Sequence, residues 1–440
     1  MSTKNDAPRA WRQGLTGYHG LVLIIACLGW IFDVFEGQLF TLFKTPAMAE
    51  VLGVSTTDPA VDRYSNYAFA SFLVGGAVGG LFFGMLADRI GRRKSMVWSI
   101  LTYSVFTGVH YFATTWWHIA ILRFLVAVGV GGEWAIAAAL VAEVFSGRAR
   151  TAAGGIFHAS SVVGIILATL LGMTSLVEVL ADRLPMDVSP WRIAFLIGVL
   201  PAILIVWILA SLKESERWQA AQAEVPPGAA RRRGPLTELM TDARWRKRAL
   251  IGFGLAAIGL STYWGIIGWA PELAGTVLGP DATDADRRAA GSTAYLIMSI
   301  FGALLGQLAF PPITMWIGRR KAFAVYHVGA LITVPIAYLA ASSFWQTTAL
   351  LTVMAFFTAG MHSGYAIYFP EMFPTRLRAT GASFCFNVGR LGSAGLLLIR
   401  GEMRAFLGFR WAVALMSLLF VVGLLLLWIA PETKDEELPE

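Results

Sequence analysis

Charged residues are scarce in this sequence of 440 residues: 14% are Asp, Glu, Lys or Arg, whereas 56% are hydrophobic. A soluble domain of ordinary composition carries about 25% charged residues. So few charges cannot cover the surface of a soluble chain of this length, and lipid must therefore solvate most of its exterior. The net charge of +7 does not indicate a nucleic-acid partner, because the basic residues lie in short segments between apolar runs.

Cysteine is also rare, and several catalytic signatures are missing. Cys27 and Cys385 both lie inside apolar runs, which excludes a disulfide framework and a Cys-rich metal site. The sequence contains no Gly-Lys-Ser or Gly-Lys-Thr phosphate-binding loop and no catalytic domain outside the apolar runs. We therefore expect no metal, no cofactor and no enzymatic activity.

Apolar runs of the length that crosses a bilayer, about 20 residues, recur along the chain. We predict an all-α membrane protein in which the first run is a retained helix, because Asp33 and Glu36 interrupt it as they would not interrupt a signal peptide. The twelve predicted spans are 18–43, 65–87, 95–113, 117–144, 151–177, 191–212, 248–270, 291–316, 322–341, 346–369, 381–400 and 409–430.

Lysine and arginine predict how these spans are oriented. With the N-terminus inside, 24 of the 35 Lys and Arg residues fall on the inner side and 9 on the outer side, and Arg123 and Arg390 lie within spans. This bias predicts that both termini are cytoplasmic and that the protein lies in the cell membrane. The predicted parts are a cytoplasmic N-terminal segment 1–17, six-helix bundles 18–212 and 248–430, a cytoplasmic linker 213–247 and a cytoplasmic tail 431–440.

Two motifs occur once in each predicted bundle. Gly91-Arg-Arg-Lys after span 2 matches Gly318-Arg-Arg-Lys after span 8, an offset of 227 residues. Glu143, seven residues before Arg150, matches Glu371, seven residues before Arg378, an offset of 228. Two matches at nearly one offset indicate an internal duplication, which is typical of transporters that bind substrate between two halves.

The loop from Gly84 to Lys94, Gly-Met-Leu-Ala-Asp-Arg-Ile-Gly-Arg-Arg-Lys, resembles the signature of the major facilitator superfamily. Gly131-Gly-Glu133-Trp resembles metabolite:proton and sialate/lactate-type symporters, and the motif of Asn387, Gly389, Arg390 and Gly392 is similar to carboxylate-handling branches, aromatic-acid symporters among them. The resemblance implies a monomeric secondary transporter with two pseudo-symmetric six-helix bundles that carries a small organic anion with protons by alternating access. Met315 stands where the first loop has Asp88, and the sugar-porter Gln-Gln pair is missing from span 7.

Ionisable residues within spans are candidates for function, because each costs about 2.5–3.5 kcal/mol at a helix centre. In the resembling symporters, an acid at the Asp33 position pairs with an arginine at the Arg123 position, and protonation of the acid couples proton movement to the conformational change. The alternative is a permanent salt bridge. Glu36 is interpreted as a second proton site, a substrate contact or an outer-vestibule residue, and Glu133 as a proton relay or a packing residue.

Arg390 lies near the middle of span 11, and no acid occurs in spans 8, 9 or 11. An anion should therefore meet this guanidinium, and a substrate carboxylate fits its planar fork in a bidentate manner. The alternative is a pair with Asp33 or Glu36 in the empty protein. Asn387, one turn earlier in the same motif, is a second predicted substrate contact.

His158 lies where the resembling sugar porters carry a substrate-binding glutamine, and it is either a substrate contact or a buried, satisfied histidine. Tyr263, Trp264 and Tyr365 are predicted cavity walls, with the lipid interface as the alternative. His362 is interpreted as structural.

The resemblance also implies latches that close the inner side of the two halves, although these charges could simply set the topology. The predicted gating residues are Gly84, Asp88, Gly91, Arg92, Arg93, Glu143, Arg150, Arg319, Glu371 and Arg378. The expected function is proton-coupled symport of a small organic anion. A sugar or polyol symporter, or a membrane sensor that has lost transport, are the alternatives.

Overall fold

The computed structural model describes residues 14–174, 176–183, 188–224 and 234–439, and all regular structure in these ranges is helical. The predicted all-α class is thereby confirmed. Most of the predicted N-terminal segment, the Arg231–Arg233 run of the predicted linker and the last residue of the predicted tail lie outside the described residues.

The long helices are labelled here in chain order. They are α1 Gly17–Leu52, α2 Pro59–Ile90, α3 Arg92–Val109, α4 Trp116–Val144, α5 Gly147–Gly172, α6 Pro190–Ser211, α7 Ala243–Thr276, α8 Asp284–Ile317, α9 Arg319–Leu339, α10 Phe344–Glu371, α11 378–407 and α12 Phe409–Ile429. Short helices occupy Leu176–Asp182, Glu216–Ala223 and Pro235–Thr241. We call α1–α6 the first half and α7–α12 the second half.

Within the described ranges, ten helices are long and apolar enough to cross a membrane. The two long helices outside this set are α3 and α11. The 18-residue α3 begins with three basic residues, and the regular end of α11, Gly389–Leu407, contains Arg390 and further charged residues. Charged residues therefore lower the mean hydropathy of both helices: those of the first signature loop in α3, and Arg390 with its charged neighbours in α11.

Side-chain caps fix where several helices begin. Asp58 accepts a hydrogen bond from the amide of Ala60 at 2.7 Å and precedes Pro59 at the first position of α2. Asp242 accepts from the amides of Arg244 and Trp245 at the start of α7. These bonds satisfy amide groups that lack a partner within the helix.

Three of the second-half helices are irregular near their middle. α8 contains a π-helical segment at Met298–Leu304 and α11 another at Phe384–Val388, while α10 loses its helical pattern at residues 359–361. Such irregularities redirect the side chains that follow them and recur at functional sites. All three lie beside the cavity described below.

Glycines let α2 approach two other helices closely. A Cβ atom added at Gly75 or Gly79 would collide with the backbone of α4 at Phe124 or Val128. On the next face of α2, Gly76, Gly80 and Gly84 approach α11. An added Cβ at these positions would lie 2.6 Å from Arg390, 2.5 Å from Asn387 and 2.9 Å from Ser383, respectively. One face of α2 therefore packs within the first half and the next face packs against the second half.

Candidate functional site

A cavity of about 1080 Å³, part of it open to solvent, lies between the two halves. Residues of α1, α2, α4 and α5 line one side, and residues of α7, α8, α10 and α11 line the other. Phe69 of α2 and Trp264 of α7 both line it and meet edge to face, with ring centroids 5.5 Å apart. The cavity is mostly apolar, with a few polar groups, as expected for a small-molecule site.

Asp33 of α1 lines this cavity and is 1% exposed. Neither of its carboxylate oxygens has a hydrogen-bond partner among the described residues. A buried carboxylate without a partner is costly in its charged form, so Asp33 is suited to take up a proton or to receive a ligand.

Arg123 of α4 pairs with Glu36 rather than with Asp33, which corrects the expected partner. Its Nη1 lies 2.5 Å from Glu36 Oε1, which also accepts from the Thr107 hydroxyl at 3.2 Å. The guanidinium packs over the rings of Phe40 and Phe72, 4.8 and 4.3 Å from their centroids. The ion pair is fully buried and lies outside the cavity lining, so Glu36 does not face an open vestibule.

The relative alignment of α1 and α4 explains this pairing. A Cβ at Gly29 of α1 would collide with the Glu133 carboxylate, whereas Glu36, two turns further along α1, meets Arg123, ten residues earlier in α4. The two helices are therefore antiparallel, and Asp33 lies between the levels of Glu133 and Arg123. Sequence spacing cannot supply this alignment.

Glu133 is completely buried behind α1 and is not part of the cavity lining. Both of its carboxylate oxygens lack a hydrogen-bond partner in the described part of the chain. Gly29 and Asp33 are four residues apart and share one face of α1, so Glu133 lies beside the face that carries Asp33. The alternative interpretation, in which Glu133 is a packing residue hydrogen-bonded to neighbouring helices, does not fit these unpartnered oxygens.

Arg390 of α11 lines the cavity opposite Asp33 and is 9% exposed. Its Nη1 has no hydrogen-bond partner, and the residue forms no ion pair in the described ranges. Its guanidinium lies 5.5 Å from the centroid of Phe386. Asp33 attracts this guanidinium electrostatically across the cavity, but no hydrogen-bonded ion pair joins Arg390 to Asp33 or Glu36 among the described residues.

Asn387 lies one turn before Arg390 but does not reach the cavity, contrary to the prediction of a substrate contact. Its amide nitrogen donates to the Gly131 carbonyl of α4 at 2.8 Å and to Ser383 Oγ at 3.0 Å. Asn387 instead joins α11 to the first half, because the π-helical segment turns it towards α4.

His158 lines the cavity, as predicted. Trp134 Nε1 lies 3.0 Å from His158 Nδ1, and since an indole N–H can only donate, Nδ1 is the acceptor and the ring proton is inferred to be on Nε2. His362 of α10, interpreted as structural, also lines the cavity, with its ring nearly parallel to His158 at 6.3 Å between centroids. The helix break at 359–361, which contains Gly360, precedes it directly.

Tyr263 and Trp264 line the cavity as predicted, whereas Tyr365 does not. Tyr365 is fully buried within the second half and donates its hydroxyl to the Leu255 carbonyl at 2.9 Å. Cavity-lining polar residues that sequence reasoning missed are Gln38, Ser161, Tyr295, Ser299 and Gln307. Uncharged polar residues in apolar runs are common, and these gave no distinguishing signal.

A buried network of charges joins the two halves at one end of the cavity, which we call the latch end. Asp88 accepts hydrogen bonds from the Thr380 amide at 2.9 Å and the Thr380 hydroxyl at 2.7 Å, across the halves. Arg92 pairs with Asp88 at 2.9 Å and with Glu143 at 2.6 Å, and Glu143 also pairs with Arg378 of the second half at 2.9 Å. We call this network the first latch.

The duplicated motif forms a smaller network, the second latch. Arg319 pairs with Glu371 at 2.8 Å and donates to the Thr151 hydroxyl of the first half at 2.8 Å. Met315 stands where Asp88 stands in the first latch, so a carboxylate that binds backbone amides across the halves is missing here. The duplicated loops have therefore diverged in how strongly they join the halves.

The hydrogen bonds of two predicted gating residues stay within the first half, although Arg150 is also attracted electrostatically to Glu371 of the second half. Arg93 donates to the Leu209 carbonyl of α6 at 2.5 Å, and Arg150 donates to the Phe145 carbonyl at 3.1 Å. Gly91 and its counterpart Gly318 have φ values of 104° and 93°, which favour glycine at the sharp entries to α3 and α9.

Comparison with known families agrees with this architecture. A model described as the Major Facilitator Superfamily matches residues 21–334, and one described as Sugar (and other) transporter matches residues 264–435. The chain belongs to the major facilitator superfamily. The predicted membership is confirmed, and this multi-pass membrane protein is a transporter rather than an enzyme.

Relatives within the superfamily extend over most of the chain. A probable 4-methylmuconolactone transporter of Cupriavidus pinatubonensis is 30% identical over 413 residues, covering 92% of this chain and 89% of that protein. A sialic acid transporter of Escherichia coli is 26% identical and a niacin transporter of Acinetobacter baylyi is also 26% identical, and each match covers at least 95% of both chains.

Solved structures of the superfamily share the fold. A proton:xylose symporter superposes with a TM-score of 0.76 at 16% identity, covering 96% of this chain and 98% of that one. A human organic anion transporter superposes with a TM-score of 0.66 at 17% identity, covering 93% and 99%. At these identities the likeness concerns the fold alone.

Proposed function

We propose that this major facilitator transporter moves a small organic anion, a carboxylate, together with protons by alternating access. The observation that carries the proposal is a pair of opposite charges that face one cavity without a hydrogen-bonded partner. Arg390 of the second half and Asp33 of the first half both line it and attract one another across it, but among the described residues neither forms a hydrogen-bonded ion pair.

Charge conservation explains how the two residues would cooperate. With Arg390 and Asp33 both charged, the cavity holds one positive and one negative group. A carboxylate on Arg390 adds one negative charge, and protonation of Asp33 removes one. The loaded cavity then keeps its original net charge, so movement through the bilayer with substrate carries no added penalty for buried charge.

We propose that Glu133 exchanges protons with Asp33, because both buried carboxylates lie against the same face of α1 and lack partners in the part of the chain described. Glu36 and Arg123 neutralise one another behind the cavity. We therefore assign them to holding α1 against α4 and not to carrying the transported proton.

The named relatives support an organic anion over a sugar. Sialic acid is a carboxylate, as is niacin, and transporters for both cover nearly the whole chain. The resemblance in fold to a proton:xylose symporter does not favour a sugar, because it holds at 16% identity.

The membrane arrangement belongs to the same proposal. We propose twelve membrane-spanning helices in two six-helix bundles, the ten apolar helices together with α3 and α11, in a monomer of the cell membrane. Both termini and the latch end would be cytoplasmic, as the distribution of basic residues indicates. Because both latches are closed, the conformation described would be one in which the cavity is sealed from the cytoplasm.

The substrate class can be tested by binding of matched charged and neutral ligands to the purified protein. We expect carboxylates such as nicotinate or N-acetylneuraminate to raise the melting temperature, and neutral nicotinamide and xylose to leave it unchanged. Arg390→Ala should weaken carboxylate binding about 10- to 100-fold, the value of a charge-assisted hydrogen-bonded pair. Arg390→Lys should recover part of this loss, because it keeps the charge without the planar fork.

Arg192→Gln is the matched control, because this arginine pairs with Glu50 at 2.9 Å and lies outside the cavity lining. Its carboxylate binding should equal that of the wild type. Binding of xylose with no binding of any carboxylate would support the sugar alternative, and full carboxylate affinity in Arg390→Ala would place the anion elsewhere.

A further inference from the structure

A second group of buried polar side chains lies behind the cavity, between α1, α3 and α4. Besides Asp33 and Glu133, it contains the hydroxyl of Tyr103 on α3. Tyr103 is fully buried, and its hydroxyl has no hydrogen-bond partner among the described residues. A buried tyrosine hydroxyl normally finds such a partner. Tyr103 does not line the cavity, so contact with a transported molecule does not account for this hydroxyl.

The packing of the three helices places Tyr103 at the level of Asp33. A Cβ atom added at Gly129 of α4 would lie 2.6 Å from the amide nitrogen of Tyr103, and one turn further along α3 the Thr107 hydroxyl donates to Glu36 of α1 at 3.2 Å. The first residue of α3 pairs with the end of α4 in the first latch, so both α1 and α3 run antiparallel to α4 and therefore parallel to one another. Tyr103, four residues before Thr107, thus lies level with Asp33, three residues before Glu36.

The same alignment brings two buried carboxylates towards the Tyr103 hydroxyl. Glu133 lies one turn from Gly129 on α4, and Tyr103 interacts electrostatically with both Asp33 and Glu133. No hydrogen bond joins the hydroxyl to either carboxylate within the described ranges. Buried polar groups that face one another beyond hydrogen-bond distance are typically bridged by ordered water, and here a hydroxyl and two carboxylates supply the partners that such water needs.

From this arrangement we infer that Tyr103 and bridging water relay a proton between Asp33 and Glu133. The Asp33 carboxylic acid gives its proton through water to the Tyr103 oxygen, while the original Tyr103 hydroxyl proton passes through water to the Glu133 carboxylate. Each oxygen in between gains one proton and loses one, so tyrosine and water end as they began. The inference rests on the proposed proton coupling and adds the residue that carries the proton between the two acids.

The relay gives the proton a route that is separate from the substrate. Asp33 faces the cavity, whereas Glu133 lies behind α1, ten residues before Glu143 of the first latch. A proton that moves from Asp33 to Glu133 therefore travels towards the latch end while both latches are closed. It does so without passing a carboxylate bound at Arg390.

Tyr103→Phe removes the hydroxyl and keeps the ring. Uptake driven by a pH gradient should be measured in proteoliposomes with labelled nicotinate or N-acetylneuraminate, whichever binds the wild type. We expect the initial rate to fall about tenfold or more, because a positioned proton-transfer group contributes about 100- to 10,000-fold to the transfer step and other steps share control of the rate. Counterflow at equal pH and carboxylate affinity should equal those of the wild type, since Tyr103 lies outside the cavity lining.

Tyr326→Phe is the matched control. Tyr326 is fully buried in the second half and donates its hydroxyl to the Gly306 carbonyl at 2.7 Å, far from the two acids along the chain. Its rate of gradient-driven uptake should equal that of the wild type.

A double substitution tests whether Tyr103 and Glu133 act in one path. Glu133→Gln should also slow gradient-driven uptake, and the double variant should be no slower than the slower single variant, because a path that is already interrupted cannot be interrupted again. Effects that multiply would place the two residues on separate paths and overturn the inference.

Two further results would overturn the relay while leaving the proposed function intact. A wild-type rate of uptake in Tyr103→Phe would mean that the hydroxyl carries no proton, and an equal loss of uptake and counterflow would mean that it only holds the helices together. In both cases Asp33→Asn should still abolish accumulation. If Asp33→Asn accumulates substrate as the wild type does, the proposed proton coupling itself fails.

Discussion

At the scale of single residues, the buried charges near the cavity fall into two groups: those that form an ion pair and those that have no hydrogen-bond partner among the described residues. Glu36 and Arg123 form a closed pair, so protonating Glu36 would leave a buried arginine uncompensated. Asp33 has no such partner in the described ranges. In the proposed mechanism, Asp33 rather than Glu36 is therefore the acid that changes its protonation during transport.

Replacing Asp33 by Asn should uncouple transport from protons. The amide keeps the shape of a protonated carboxyl, so the halves can still move and labelled carboxylate should exchange across proteoliposomes. Uphill uptake driven by a pH gradient should be lost, and the ratio of internal to external substrate should fall to about 1. Counterflow and gradient-driven uptake, measured side by side, distinguish the two activities.

Glu36→Gln is the contrasting variant, since it breaks a fixed pair without touching the cavity. We expect a lower melting temperature, because losing one partner of a buried ion pair costs about 3–5 kcal/mol. The protein that does fold should still accumulate substrate against its gradient. If the coupling effects of the two variants were reversed, Glu36 would be the proton carrier.

The sequence revealed these charges but not their partners. Asp33, Arg123 and Arg390 stand out because ionisable residues in apolar runs are rare. Which acid meets Arg123 depends on how far α1 and α4 are shifted along one another, and that shift follows from packing of both helices along their length. That His362 lines the cavity could not be predicted for a similar reason, because a break in α10 determines where its ring lies.

At the scale of helices, α2 connects the halves through its glycines. Gly76, Gly80 and Gly84 recur every four residues, a spacing of small residues that allows close helix contacts. The sequence did not tell which partner each glycine meets, nor that α8 and α11 contain π-helical segments, because periodicity of apolar residues resolves a helix only to about a turn. Six helices, α3, α4, α6, α9, α10 and α12, begin and end within about four residues of the predicted spans, whereas α1, α8 and α11 each extend seven or more residues past one predicted end.

Gly80→Ala should hinder closure at the latch end. The new Cβ would lie 2.5 Å from Asn387, whereas a Cβ at Gly20 of α1 would meet no atom within 4 Å. Overpacking costs about 1–3 kcal/mol, so we expect the closed population to fall about tenfold in Gly80→Ala and to be unchanged in Gly20→Ala.

Spin labels at the exposed positions Arg148 and Lys321, one in each half, would report this population as a distance distribution. The background should replace Cys27 and Cys385, which are the cysteines of the chain. Identical distributions in the two glycine variants would contradict a role of Gly80 in closure.

At the scale of the whole molecule, the two latches are unequal. The first latch binds backbone and side chain of Thr380 through Asp88, and the second lacks a carboxylate at the matching position, Met315. Opening of the latch end is therefore resisted mainly by the first latch.

Asp88→Asn should open the latch end more often. A hydrogen bond to a charged group contributes about 1.5–3 kcal/mol, so the open population should rise about tenfold or more. Ala379 is fully buried beside the latch, and a cysteine placed there should react faster with a membrane-impermeant maleimide added from the side of the latch end, which we propose to be the cytoplasmic side. Glu50→Gln, which breaks an ion pair inside the first half, should leave the reaction rate unchanged.

The Phe69–Trp264 contact across the halves also indicates how this protein could be inhibited. A carboxylate with a bulky substituent could bind Arg390 and yet keep the rings of Phe69 and Trp264 apart. Such a compound would bind without being transported, and it would hold the protein with both latches closed. An inhibitor of this protein would therefore share the carboxylate of a substrate but be too large for Phe69 and Trp264 to meet.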